Sequence, residues 1–114
     1  MRQTLLYARV SSHDQKEDLA RQVALLETLA RLRCPLLAIN GAKDLQVPPA
    51  DAQTVAQLAG GGGDWEVVPD LTHVLRRDPG PPSLAHYKRL CAEPVDAEVL
   101  ARVRDWIVAQ AGRH

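Results

Sequence analysis

The sequence predicts an α/β fold: a small three-stranded parallel sheet in the order βαβαβα, with helices on both faces. Three observations predict it. Short runs of strand formers at 3–10, 35–40 and 65–69 alternate with stretches whose apolar residues recur every three or four positions. Gly, Pro, Ser or Asp punctuates the passages between these runs. Strand, helix and strand in alternation close through right-handed crossovers into a parallel sheet covered by helices. At 114 residues the chain is expected to form one domain over 1–114, long enough to bury about two thirds of its unfolded surface.

Each element has its own signal. "QTLLYARV" at 3–10 is rich in strand formers and ends at "SSHD", where Ser11 or Ser12 can cap a helix whose first turn carries Asp14, Glu17 and Asp18. Within 14–33, Leu19, Val23, Leu26 and Ala30 recur at helical spacing, flanked by Leu25, Leu29 and Leu32, which predicts a broad apolar stripe. Pro35 disfavours helical geometry at Cys34, so the helix ends near Arg33. "PLLAIN" at 35–40 is a continuous apolar run, as expected of a strand buried on both faces, and "GAKD" breaks it. "PPADAQTVAQLAG" predicts a helix starting near Pro49 to Asp51 and stopping at Gly60. "GGGGD" at 60–64 lacks the Lys-Ser or Lys-Thr of a phosphate loop and leads into the strand "WEVVP", so it is expected to be a flexible connector. After a Pro- and Gly-rich loop at 78–82, "PVDAE" opens a last helix with Val99, Leu100, Val103, Trp106 and Ile107 on one face. Trp65 and Trp106 are both expected at or near the core.

Composition narrows the function classes. Hydrophobic residues make up 46% and charged residues 25%, the proportions of a globular chain. Fourteen Lys and Arg balance fourteen Asp and Glu, so no net field draws the protein to DNA or to an anionic membrane. No long apolar segment follows Arg2 and no run is long enough to span a bilayer, so a cytoplasmic protein without a membrane partner is expected. Cys34 and Cys91 stand apart without CxxC spacing and are expected as free thiols. His13, His86 and His114 have no ligand spacing with Cys or acidic residues, so neither a metal nor another cofactor is expected. Arg76, Arg77, Lys88 and Arg89 form a modest basic cluster that reads as a solvated face.

Two resemblances meet in the chain. "YARVSSHDQKEDLARQ", over about 4–32, resembles the amino-terminal strand and helix of serine site-specific recombinases (the resolvase family). That resemblance implies Ser11 as a nucleophile toward a DNA phosphodiester and Arg9 as a phosphate ligand. Phosphoryl transfer needs further cations aimed at the developing charge, and neither the family's other arginines nor a groove-reading helix is found after residue 33. Ser11 reads better as a Ser that caps a helix after a buried strand.

Residues 34–114 resemble the carboxy-terminal third of α/β-hydrolases of the esterase and peptidase-like group, through "CPLLAINGAKDLQVPP", "WEVVPDLTHVL" and "LAHYKRLCAEPVDAEVLARVRDWI". This resemblance implies Asp44 as the acid and His73 as the general base of a Ser-His-Asp triad. In that chain order the acid follows a buried strand and the His lies on the loop after the next one. The nucleophile elbow G-x-S-x-G, which precedes the acid in that family, has no counterpart here. The sequence therefore reads as a chimera, natural or engineered: a recombinase-like β-α unit at 1–33 joined to a hydrolase-like part at 34–114. Little or no hydrolysis of a small ester or acyl substrate is expected unless a nucleophile is supplied. The alternatives are a recombinase fragment acting in DNA strand exchange, and a folded domain without function. A homodimer, or self-association, through the edge of strand 3–10 is also expected.

Overall fold

The computed structural model describes residues 15–112. Along the chain it runs α1 (Gln15–Arg31), β1 (Leu36–Gly41), α2 (Asp51–Leu58), β2 (Gly63–Val68), a 3₁₀ segment (Leu84–His86), α3 (Tyr87–Leu90) and α4 (Ala97–Ala111). The class is mixed α/β, with a two-stranded parallel sheet and four α-helices among the described residues. The third strand expected at 3–10 lies outside the described residues, together with Arg9 and Ser11.

β1 and β2 pair in register from Leu36 opposite Gly63 to Gly41 opposite Val68. Side chains alternate across a strand, so Gly63, Trp65 and Val67 share one face and Asp64, Glu66 and Val68 the other. α2 lies against the first face, where a Cβ on Gly63 would meet Ala56 Cα at 2.8 Å. α4 serves the second. Val99 packs with Val68 and Leu71, with Ile39 alongside. Arg102 Nε donates to Glu66 at 3.0 Å and Trp106 Nε1 to Asp64 at 2.7 Å. Asp96 caps α4, its carboxylate accepting from Val99 N at 3.1 Å, where the "PVDAE" signal places the start.

Several sequence expectations shift. β1 is half-buried from Leu36 to Asn40 rather than buried on both faces, because two described strands give it a paired neighbour on one side only. In α1 the inward side chain is Leu29, at 2% exposure, whereas Leu19, Val23 and Leu26 are exposed. The stripe has the expected period, but only its Leu25–Leu29–Leu32 flank is covered. Trp65 is exposed, contrary to the core position expected, because nothing described covers the rest of its face. Leu100 and Ile107 of α4 are exposed too, while Val103 and Trp106 are half-buried.

The "GGGG" segment is a close-packed corner rather than a slack connector. Gly60 N donates to Leu29 O at 2.9 Å, and a Cβ on Gly60 would strike the Ala30 carbonyl. Gly62 takes φ 83°, a left-handed conformation that glycine adopts without steric cost. These residues let the β2 entry pass tightly beneath the end of α1.

Candidate active site at the carboxyl edge of the sheet

Parallel strands deliver the residues that follow them to one edge of a sheet. β1 ends at Gly41, and Ala42 N then donates to Val68 O at 2.9 Å, so the two strand exits stay side by side. A Cβ on Gly41 would collide with the Leu71 carbonyl, so glycine allows the loop after β2 to cross directly over the end of β1. Lys43 N donates to Leu71 O at 3.0 Å and continues the contact. Asp44 follows at once, and the chain after β2 brings His73 back to it.

The carboxylate of Asp44 is fully engaged. Its Oδ1 accepts from Gln46 N at 2.8 Å and Val47 N at 2.9 Å, and its Oδ2 lies 3.0 Å from His73 Nδ1. Both side chains are nearly covered, Asp44 at 5% exposure and His73 at 11%. Two backbone amides fix the carboxylate plane, and the free oxygen then fixes the imidazole. An ionised carboxylate only accepts, so the hydrogen bond to it places a proton on Nδ1, and in the neutral ring the lone pair is then on Nε2. This is the arrangement of a general base oriented by an acid.

His73 sits on a tightly closed loop. Asp78 N donates to Asp70 O at 2.8 Å across its base, and Leu71 bridges Arg77 in antiparallel fashion. Inside, Thr72 N and Thr72 Oγ1 donate to Arg76 O at 3.0 and 2.8 Å, with Thr72 fully buried. The turn forces Asp70 and Leu75 to φ 61° and 62°. Asp tolerates that region; Leu rarely enters it, and Leu75 is held there by Leu75 N donating to Thr72 O and Leu75 O accepting from Asp96 N.

Sequence reasoning missed a second carboxylate–imidazole pair. Asp78 Oδ2 lies 2.7 Å from His86 Nδ1, with the Asp78 side chain 5% and the His86 side chain 37% exposed. His86 thus has the acidic partner that its spacing did not disclose. The hydrogen bond from His86 holds the Asp78 carboxyl below its ordinary value, against the opposing effect of burial; the His86 charge, the Gly80 amide and Arg89 add to the lowering. The signal in the sequence was an Asp and a His facing each other across a Pro-rich loop, a pattern too common to single out. The basic cluster also resolves. Arg76 donates to the Glu93 and Val74 carbonyls, Arg77 pairs with Asp96 and Glu98, and Lys88 and Arg89 are exposed.

No nucleophile joins the Asp44–His73 pair among the described residues. Ser83, the one serine described, caps the 3₁₀ segment by accepting from Ala85 N at 3.2 Å, and the Thr72 hydroxyl is committed to Arg76 O. A groove of about 300 Å³ between β2 and α4 lies elsewhere, lined by Val68 and Val99 and by the paired charges Glu66, Arg77, Glu98 and Arg102. Cys34 and Cys91 are free thiols. Among the described residues no group of three or more His, Cys, Asp or Glu is placed to hold a metal ion, and no helix is long and apolar enough to cross a membrane. Searches against protein-family models, curated proteins and solved structures return no match to the chain.

Proposed function

We propose that this chain is an α/β-hydrolase-like module that keeps the acid and base of a Ser-His-Asp triad, joined to a recombinase-like segment, with little or no esterase activity of its own. The observation that supports the reading is the bond between Asp44 Oδ2 and His73 Nδ1 at the exits of two parallel strands, with the other Asp44 oxygen held by two amides. Such a base accepts a proton at Nε2 from any hydroxyl or water that lies within about 3 Å. Acyl transfer needs more: an activated hydroxyl, and donors for the oxyanion whose loss alone costs roughly 100-fold or more in turnover. Without them the pair supplies general-base assistance to water on an activated ester and little else.

Hydrolysis of p-nitrophenyl acetate tests this. The expected result is a slow rate above buffer that disappears in His73→Ala and falls in Asp44→Asn, where the carbonyl oxygen stays with the Gln46 and Val47 amides and the NH2 group that faces Nδ1 can only donate. A rate indifferent to both substitutions removes the catalytic reading of the pair. Stoichiometric labelling of Ser11 by a fluorophosphonate, abolished in His73→Ala, overturns the assignment of low activity and reveals a complete triad.

A further inference from the structure

Lys43 stands next to the acid of the pair and makes contacts that an exposed lysine does not. Its ammonium lies 2.8 Å from Asp70 Oδ1 and donates to Asp78 O at 2.6 Å and Gly80 O at 2.8 Å. An ammonium has three protons, and each meets an acceptor. Asp70 and Asp78 are the two ends of the loop that carries His73, bonded to each other through Asp78 N and Asp70 O. The ammonium therefore grips both ends of that loop from the end of β1, one residue away from the carboxylate that the loop must reach.

The grip has a second anchor. The Asp78 side chain bonds His86 at 2.7 Å, and Asp78 N and O are already taken by Asp70 and Lys43, so this buried residue is tied from its side chain and from its backbone. The line Lys43, Asp78, His86 runs from the β1 exit to the 3₁₀ segment and ties the closing end of the His73 loop to both.

We propose that Lys43 is a positioning residue for the Asp44–His73 pair, acting through the ends of the His73 loop, with the Asp78–His86 pair as its distal anchor. The significance for catalysis rests on the function proposed above; the positioning itself does not, and it is read without turnover. The probe is the Nδ1–H proton of His73 and the ring ¹⁵N shifts, observed by NMR on the full chain and assigned by loss of the signal in His73→Ala. The bond to Asp44 moves this proton to low field and slows its exchange with water.

In Lys43→Met, which keeps the length and apolar stem but removes the three donors, exchange of the His73 Nδ1–H is expected to accelerate at least about tenfold, the scale of a charge-assisted hydrogen bond that is no longer held in place. Lys43→Arg, which returns charge and donors, recovers part of the protection. His86→Gln, which leaves the β1 exit untouched, produces the same effect in weaker form and serves as the second probe should Lys43→Met not fold. Arg102→Met removes an ion pair on the far side of β2 and is expected to leave the proton unchanged. The proposal is overturned if folded Lys43→Met or His86→Gln retains the wild-type exchange rate, or if Arg102→Met loses protection as fully as they do. An esterase rate indifferent to His73→Ala and Asp44→Asn, with these shifts present, counts against the function alone.

Discussion

Asp78 shows how one buried side chain can serve two segments of chain at once. Its carboxyl is held below the ordinary value of 3.8, first by the bond from His86 and against its burial. A carboxyl depressed in the folded state binds fewer protons than in the unfolded chain, so its contribution to stability is complete above about pH 4 and is lost as pH falls through the lower folded value. Urea midpoints measured stepwise from pH 6 to pH 3 are expected to fall more steeply for the wild type than for Asp78→Asn; parallel curves would show that the pair adds nothing. At this scale Asp44 and His73 were legible through the resemblance of residues 34–114 to α/β-hydrolases, which implied both; their spacing alone does not single them out. It did not disclose Lys43 or Asp78. Their partners are carbonyls and a histidine brought together by loop closure, and no residue-type pattern marks a lysine that donates to backbone. Ser11 and Arg9 lie outside the described residues, so the recombinase half of the reading stays as the sequence left it.

Elements were legible where periodicity and breakers coincide. β1, α2, β2 and α4 fall within a few residues of their predicted spans, because Pro35, Pro48–Pro49, the glycines at 60–63 and the Asp96 cap each act locally. Facing was harder to read. In α1 the apolar residues outnumber the positions a single neighbour can cover, so spacing alone did not say which flank turns inward. The structure gives that place to Leu29, at 2% exposure, and leaves Leu19 at 62%. Leu29→Ala is therefore expected to cost about 2–5 kcal/mol through lost burial and a residual cavity. Leu19→Ala should stay within about 0.5 kcal/mol, as for surface positions. Denaturant titrations with a common slope check both; equal costs would mean that α1 is rotated. The glycine corner was misread for a related reason: four glycines signal freedom, yet Gly60, Gly61 and Gly63 are used for closeness, which only neighbouring backbone reveals.

At the scale of the whole molecule, much of the apolar inventory of the described residues is exposed. Leu19, Val23 and Leu26 of α1 and Trp65 of β2 are exposed, and β1 is paired along one edge among the described residues. Association of copies is expected, with scattering mass rising above one chain as concentration increases; a constant monomer mass at high concentration sinks that expectation. Charge points away from a nucleic-acid partner, because fourteen basic and fourteen acidic residues cancel. No discrete DNA complex is expected by fluorescence anisotropy at physiological salt, and sub-micromolar binding would reverse the conclusion. The parallel pairing of β1 with β2 also bears on how the chain reaches this state. Parallel strands cannot zip from a tight turn, so no rung of the ladder forms until α2 has folded back across it. The slow event in folding is then expected to be the docking of one short crossover, in which Ala56 meets Gly63, with α4 adding afterwards through Val99 and Val68. Chevron measurements should show Ala56→Gly slowing refolding and Val99→Ala chiefly hastening unfolding. The opposite assignment would place α4 in the nucleus and make the carboxyl edge, with Asp44 and His73, the last part of the protein to take shape.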